Sequence, residues 1–440
     1  MKNDGDHFRV TRHGNTHYVR MPLVAFVGVA LLLVLLTVLL WSEKRVPGTQ
    51  LQVKNPGELR VLLPSIAGLT HSALEQGNAM QVLQNGNGFF PPLFADIAAA
   101  RESVHIESFI WYDGRISRQL ADLLAKKAKE GVEVRLLVDA SGGRQLKGEV
   151  KEKLEHAGVK VAHFHPIRFS NLARLNNRDH RKLMIIDGRI GYIGGFCIAD
   201  EWTGNAEHKK SFRDTGLRIT GPVVNRLQAA FSENWIEETG EVPAGDKYFP
   251  RLPASGTSLA HLAYNSPDNN VSAVSLLYYL SLKAARREIL IQNPYMLPDE
   301  QGIALLADAV ARGVDVRVMM PSDDATDSPL VQHASHHHFG TLLKKGVKIY
   351  EYNKTLLHQK VIVVDGLWSA VGSTNFDERS FQLNDEVSIG VVDPVVAAQL
   401  RAAFFDDLRF TNERKFEEWK NRSLWHKLVD GTAYLGRSQL

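Results

Sequence analysis

His180-Arg181-Lys182-Leu183-Met184-Ile185-Ile186-Asp187 and His358-Gln359-Lys360-Val361-Ile362-Val363-Val364-Asp365 decide the reading of this 440-residue chain. Both spell H-x-K-x-x-x-x-D. Both run through Asp-Gly into a second apolar stretch and reach a pair of small residues, Gly194-Gly195 and Gly372-Ser373, seven positions after the Asp. The aliphatic, β-branched core of each motif predicts a strand. Residues two apart on a strand face one side, so each His projects with its Lys. The Asp, at an odd spacing from the His, falls on the other face or in the turn, and Asp-Gly after an apolar run signals a hairpin. Asp187 and Asp365 are therefore read as mainly structural members of the motif. A single match of this length arises by chance and reads as a solvated strand edge. Two matches at corresponding points of a repeat do not.

The repeat is visible elsewhere. Ala100-Arg101-Glu102-Ser103-Val104-His105-Ile106 recurs as Ala285-Arg286-Arg287-Glu288-Ile289-Leu290-Ile291. Gly131-Val132-Glu133-Val134-Arg135 recurs as Gly313-Val314-Asp315-Val316-Arg317, and Gly158-Val159-Lys160-Val161 as Gly346-Val347-Lys348-Ile349. The offsets are 185, 182 and 188 residues, too long for a solenoid and right for a duplicated domain. Each half alternates strands (104–111, 132–138, 159–164; 288–293, 314–320, 347–352) with helices (116–130, 146–157; 300–312, 329–345), which predicts α/β architecture with a parallel or mixed sheet. The expected organisation is an N-terminal tail (1–20), a transmembrane helix (21–41), a linker (42–80), a first repeat (81–240), an inter-repeat linker (241–270), a second repeat (271–412) and a C-terminal tail (413–440).

Composition sets the class. Hydrophobic residues make up 44% and charged residues 23%, as in folded globular proteins. The net charge of +3 is too mild to argue for nucleic acid and compatible with an anionic lipid surface. One cysteine, Cys197, excludes an intrachain disulfide, and no Cys/His set has zinc-ligand spacing. The uncharged run from Met21 to Trp41 matches the roughly 20 residues a spanning helix needs. It is longer than a signal-peptide core and lacks a small-residue cleavage site. Lys2, Arg9, Arg12 and Arg20 precede it and Lys44, Arg45, Lys54 and Arg60 follow, so the charge rule chooses no side.

These residues resemble the phospholipase D superfamily with both motifs in one polypeptide, and within it the bacterial cardiolipin synthases. The likeness runs from about residue 80 to about residue 412 and includes Arg213-Asp214-Thr215, Asn293-Pro294-Tyr295, Gly372-Ser373-Thr374-Asn375-Phe376-Asp377 and Arg379 to Glu386. It implies two phospholipase D-like repeats, each with a mixed sheet flanked by helices, related by a pseudo-twofold. It also implies a metal-free and cofactor-free phosphatidyltransferase of the bacterial inner membrane, acting on phosphatidylglycerol or a similar phospholipid in the bilayer, with no nucleic-acid partner.

The chemistry fits the residue types. Phosphodiester transfer needs a nucleophile, a proton donor for the leaving alcohol and positive charge around the phosphoryl oxygens. Histidine titrates near neutrality and suits both of the first two roles; Lys182 and Lys360 supply charge. Two equivalent sites cannot be ranked from spacing. The resemblance makes His180 the nucleophile, forming a phosphohistidine, and His358 the acid/base. It also gives each His an orienting carboxylate: matched motif to motif, Asp214 for His180 and Glu386 for His358. Asn375, ten residues after Asp365, is expected to donate to the phosphate. Its counterpart is Cys197, where the family has Asn and where a thiol is a weaker donor.

Three further readings complete the set. His336, His337 and His338 in a helix point to different faces and are expected to be solvated and not metal-bound. The tail near 412–429 mixes Phe416, Trp419, Leu424, Trp425 and Leu428 with basic residues, an amphipathic helix for a membrane interface or for packing on the domain. The competing functions for the same active site are a lipid hydrolase, a membrane-anchored nuclease and an inactive scaffold.

Overall fold

The computed structural model describes residues 7–12, 15–20, 23–40, 58–166, 176–266 and 272–437. The expected strands and helices of both halves are present. The first half runs Ser103–Ser108, Arg115–Lys129, Glu133–Asp139, Gly148–His156 and Lys160–Phe164; the second runs Glu288–Gln292, Glu300–Ala311, Asp315–Pro321, Pro329–Lys344 and Lys348–Tyr352. Within each half these strands pair in parallel, Ser103–Ser108 with Glu133–Asp139 and Glu288–Gln292 with Asp315–Pro321. The helices between them serve as crossovers.

The two expected sheets are one. Its 15 strands run from Lys160–Phe164 at one edge through Glu133–Asp139, Ser103–Ser108, Leu183–Ile186, Ile190–Gly194 and Thr215–Thr220 to Leu74–Gln84. The second half then continues with Ser258–Asn265, Glu386–Val392, Trp368–Gly372, Val361–Val364, Glu288–Gln292, Asp315–Pro321 and Lys348–Tyr352, and Thr411–Arg414 closes the far edge. The order reads the same from both ends, which is the pseudo-twofold. Its centre is the antiparallel pairing of Leu74–Gln84 with Ser258–Asn265.

Both junction strands lie in stretches expected to be linkers. In 42–80, residues 58–80 carry the helix Leu59–Leu69 and the start of Leu74–Gln84. Leu59, Leu62, Leu63 and Ile66 of that helix, on one face at i, i+3, i+4 and i+7, are buried against Val274 and Leu277. Residues 42–57 and 267–270 of those stretches lie outside the described residues.

Core packing locks the halves together. Each half buries its helices on an outer face of its own strands. A third core is shared: Leu183, Ile185, Ile193, Leu217 and Ile219 from the first half pack with Val361, Val363, Val371, Val387 and Ile389 from the second. Each such fully buried aliphatic side chain contributes roughly 2 kcal/mol.

The run read as a membrane span is helical over Leu23–Leu40. Its 18 residues reach about 27 Å at 1.5 Å per residue, just short of a typical hydrocarbon core of about 30 Å. Among the described residues no helix is long and apolar enough to cross a membrane. Residues 21, 22 and 41 lie outside them.

Candidate active site

The His–Lys part of each motif precedes its strand: the ladders begin at Leu183 and Val361. The chain is diverted because each motif first bonds to the other half. His180 N–H donates to the Asp385 carbonyl at 2.9 Å and His358 N–H to the Arg213 carbonyl at 2.8 Å. Short parallel bridges join Asp179 to Asp385 and Arg213 to Leu357.

The residue after each bridge partner is a carboxylate, so the carboxylates cross between halves. His180 Nδ1 lies 2.8 Å from Glu386 Oε1, and His358 Nδ1 lies 2.8 Å from Asp214 Oδ2. The expected pairing, Asp214 with His180 and Glu386 with His358, is therefore reversed. Spacing within one half carries no record of which half supplies the partner. Ser373 Oγ–H donates to the second oxygen of Glu386. Asp214 is held by the Thr215 N–H at 2.8 Å and the Trp202 indole N–H at 2.9 Å. A Cβ at Gly195 would sit 2.4 Å from both Asp214 oxygens, which explains glycine where the second half has Ser373.

His180, Lys182, His358 and Lys360 are all buried. Each ammonium turns back to its own motif: Lys182 Nζ donates to the His180 carbonyl and Lys360 Nζ to the His358 carbonyl, both at 2.7 Å. Lys360 Nζ also lies 2.9 Å from His358 Nε2. The rings are walled by aromatic edges, Phe109 against His180 and Trp202 against His358, each at 5.0 Å between centroids.

The four groups share one field. Burial drives the His180 imidazole well below its ordinary value, and the charges of Lys182, Lys360 and His358 push the same way. Burial and then Lys360 take His358 down to about 4, against the opposing pull of Asp214. Burial lowers Lys360 to about 7 and raises Glu386 to about 8. A site this crowded with desolvated positive charge favours an anion at its centre.

Asp187 and Asp365 stand apart from this cluster, as the odd spacing predicts. Both adopt the left-handed region, φ 53° and 55°, ahead of Gly188 and Gly366 at 61° and 64°. That is the type I′ hairpin geometry, which needs positive φ at both central positions. The Asp187 carboxylate accepts from the N–H groups of Arg101, Glu102 and Ser103, at 2.9, 2.8 and 2.9 Å. Asp365 does the same for Arg286, Arg287 and Glu288. The motif aspartates thus tie each hairpin to the repeated Ala-Arg segment seen in the sequence.

Comparison with known proteins agrees with this geometry. The family described as "Cardiolipin synthase, PLD-like domain" matches residues 93–235 and 279–408. The chain belongs to this family. A cardiolipin synthase 2 of Staphylococcus epidermidis is 35% identical over 365 residues, covering 82% of this chain and 74% of that one. A cardiolipin synthase 2 of Bacillus anthracis is 36% identical over 358 residues, covering 81% and 69%. Among solved structures, a phosphatidylserine synthase of Haemophilus influenzae shares the fold with a TM-score of 0.67 at 12% identity, covering 86% of this chain and 99% of that one.

The twofold mates Cys197 and Asn375 differ in setting. Cys197 is fully buried in the first-half apolar core, and burial raises its thiol. Asn375 is buried with its Oδ1 lacking a hydrogen-bond partner.

Beneath the motifs lie polar networks that the sequence reading missed. Arg181, fully buried, bonds Glu233 at 2.6 Å and the Ala230 carbonyl at 2.7 Å. It also faces Asp385 at 3.6 Å, and its charge reaches the buried Glu107. Beneath the second motif the contacts cross between halves: Arg213 bonds Asp407 at 2.9 Å, and Gln359 donates to Thr215 at 2.7 Å. The signal was available: the residue between His and Lys points opposite to both. Its partners are remote in sequence.

Two of the three clustered histidines are buried, not solvated: His336 and His338 lie under the C-terminal helix Leu424–Tyr434. Among the described residues, the ligand atoms of His333, His336 and Asp430 all lie within 4.8 Å of one another, close enough to share a metal ion. His333 already bonds Asp430 at 3.0 Å and Arg422 takes its other oxygen at 3.1 Å. This network joins two helices and contributes no group to the histidine–lysine cluster.

Proposed function

We propose that this chain is a cardiolipin synthase-type phosphatidyltransferase, moving a phosphatidyl group from phosphatidylglycerol to the alcohol of a second lipid. The reading rests on one observation: two buried histidines, each on a carboxylate from the other half, meet two buried lysines in one site. His180, which burial and its neighbours keep neutral, attacks phosphorus through Nε2. His358, neutral before substrate binds, takes up a proton beside the phosphate anion; the P–O bond to the headgroup glycerol then breaks, and His358 gives that oxygen its proton. His358 then takes a proton from the hydroxyl of a second phosphatidylglycerol. That oxygen attacks the phosphatidyl-histidine, releasing His180 and forming cardiolipin.

The carboxylates support this division. Asp214 accepts two N–H bonds that fix it against His358 Nδ1, and a carboxylate so placed stabilises an imidazolium at His358. Glu386 receives hydroxyl contact and is raised by burial, which suits a histidine that stays neutral until it attacks. Lys182, Lys360 and Asn375 hold the phosphoryl oxygens. Asp187 and Asp365 hold the hairpins, and Cys197 packs.

The reading places the chain in the bacterial inner membrane with 21–41 as a single-pass anchor. Phe26, Val27, Val29 and Leu31 to Leu35 are exposed on the helix Leu23–Leu40, and such surface is stable against lipid.

The test is lipid product analysis of the purified chain in detergent with phosphatidylglycerol and chelator. Cardiolipin and free glycerol are expected. Phosphatidic acid instead makes it a hydrolase, and loss of turnover with chelator ends the metal-free reading.

A further inference from the structure

The C-terminal helix Leu424–Tyr434 has two apolar faces. Asp430 and Ala433 are buried on one, and Tyr434 packs there beside Leu297 and Ala334. Leu424, Leu428 and Leu435 line the other at i, i+4 and i+11, with Trp425 beside them. They are 82%, 60%, 80% and 69% exposed. Packing on the domain accounts for the first face and leaves the second unexplained; clustered exposed apolar side chains mark an interaction surface.

Next to this face opens a groove of about 600 Å³ lined in part by Phe416 and Trp419. Lys344, Lys345, Lys420 and Lys427 line it, and no acidic side chain does. Among the described residues, none of these four lysines makes an ion pair. Arg422, by contrast, is held by Asp430 and lies 4.4 Å over the Trp419 ring.

We infer that this surface is a second membrane contact, a docking face for an anionic phospholipid bilayer. Leu424, Trp425 and Leu428 enter the interfacial layer, and the four lysines meet headgroup phosphates. The pairing of free cations with an exposed Leu/Trp patch is what selects the occupant. Indole rings settle at headgroup depth, and lysines near an anionic leaflet are attracted additively. A nucleic acid or an acidic peptide would satisfy the lysines and leave the leucines in water.

The face is rigidly tied to the active site. Asp430 is clamped by His333 and Arg422. Arg437, just past the helix, reaches Glu378 at 3.3 Å. Glu378 lies three residues after Asn375 and opens the helix Glu378–Gln382. Docking therefore fixes the orientation of the second-half site segment against the bilayer.

The test uses the full chain in lipid nanodiscs. Trp425→Cys is labelled with an environment-sensitive fluorophore; the native Cys197 is buried and stays unlabelled. In nanodiscs containing phosphatidylglycerol the emission shifts to the blue and is quenched several-fold by nitroxide-bearing lipids; in phosphatidylcholine alone neither occurs. Reversing the four lysines (K344E, K345E, K420E, K427E) removes both effects, with an unchanged melting temperature showing the fold intact. Should that variant fail to fold, Leu424→Ser with Leu428→Ser serves, and the same loss is expected. Unshifted emission on phosphatidylglycerol nanodiscs, or a shift that survives charge reversal, overturns the inference. So does a shift produced by single-stranded DNA or polyglutamate on phosphatidylcholine. The readout is independent of turnover, so it stands or falls separately from the proposed reaction.

Discussion

His180 takes its carboxylate from Glu386, 206 residues away and in the other repeat, at 2.8 Å. With the mirror pair His358–Asp214, this means that neither half contains a complete acid–base unit. A duplication of this kind within one chain cannot lose one half and keep partial activity. The crossing gives a direct prediction. Asp214→Asn should lower the titration of His358, whose imidazolium Asp214 supports, and leave His180 unmoved. ¹³C-histidine NMR resolves the two rings. Movement of His180 instead would restore the within-half pairing. Turnover should fall by roughly 10²- to 10⁴-fold, the usual range for losing an orienting or acid–base group.

Replacing either histidine by alanine should abolish cardiolipin formation, read as lipid product per enzyme. The variants should differ with radiolabelled phosphatidylglycerol. His180→Ala forms no acid-labile protein label, since it lacks the attacking nitrogen. An enzyme with His358→Ala that still turns over at a substantial rate would remove His358 from the acid–base role.

Burial of His358 has a signed consequence for stability. Its pKa is lowered from 6.5 to about 4 in the fold. The unfolded chain therefore binds the extra proton first as pH falls. The stability tied to a neutral His358 is fully present above pH 6.5 and is lost as pH drops through about 4. The span corresponds to roughly 3 kcal/mol. In urea melts the stability of the wild type relative to His358→Gln, which cannot titrate, should fall by about 3 kcal/mol between pH 6.5 and below pH 4. A constant difference across that window would mean that the ring is not held neutral.

Much of this was legible in the sequence, and the remainder was not for identifiable reasons. Strands such as Glu133–Asp139 and Asp315–Pro321 follow from local hydrophobic period, which one segment carries alone. The turn role of Asp187 followed from odd spacing and Asp-Gly chemistry, both local. The Glu386–His180 pair depends on bridges such as Asp179 to Asp385, which form only when the halves meet. His336 read as solvated because its own helix gives no sign that Leu424–Tyr434 covers it. The two expected linkers read as irregular, yet Ser258–Asn265 becomes a strand by pairing with Leu74–Gln84, a contact that proline and glycine counts do not encode.

The motif aspartate offers the sharpest separation of scaffold from chemistry. Asp187 accepts three backbone N–H bonds and occupies left-handed φ, but it touches neither histidine nor lysine. Asp187→Ala strands those donors at the start of Ser103–Ser108 and places a Cβ residue with no turn preference at positive φ. Each lost acceptor leaves a donor costing about 1 kcal/mol or more where it is shielded from water, and alanine in this region adds about 1 kcal/mol. A loss of roughly 2–4 kcal/mol is expected in chemical denaturation. Asn tolerates the left-handed region and keeps one acceptor oxygen, so Asp187→Asn should recover part of that stability. In both variants, activity per folded molecule, measured at a temperature where the fold is fully populated, should stay within a few-fold of wild type. A drop of 10³-fold in folded Asp187→Asn would make the aspartate a participant in phosphoryl transfer and not its support.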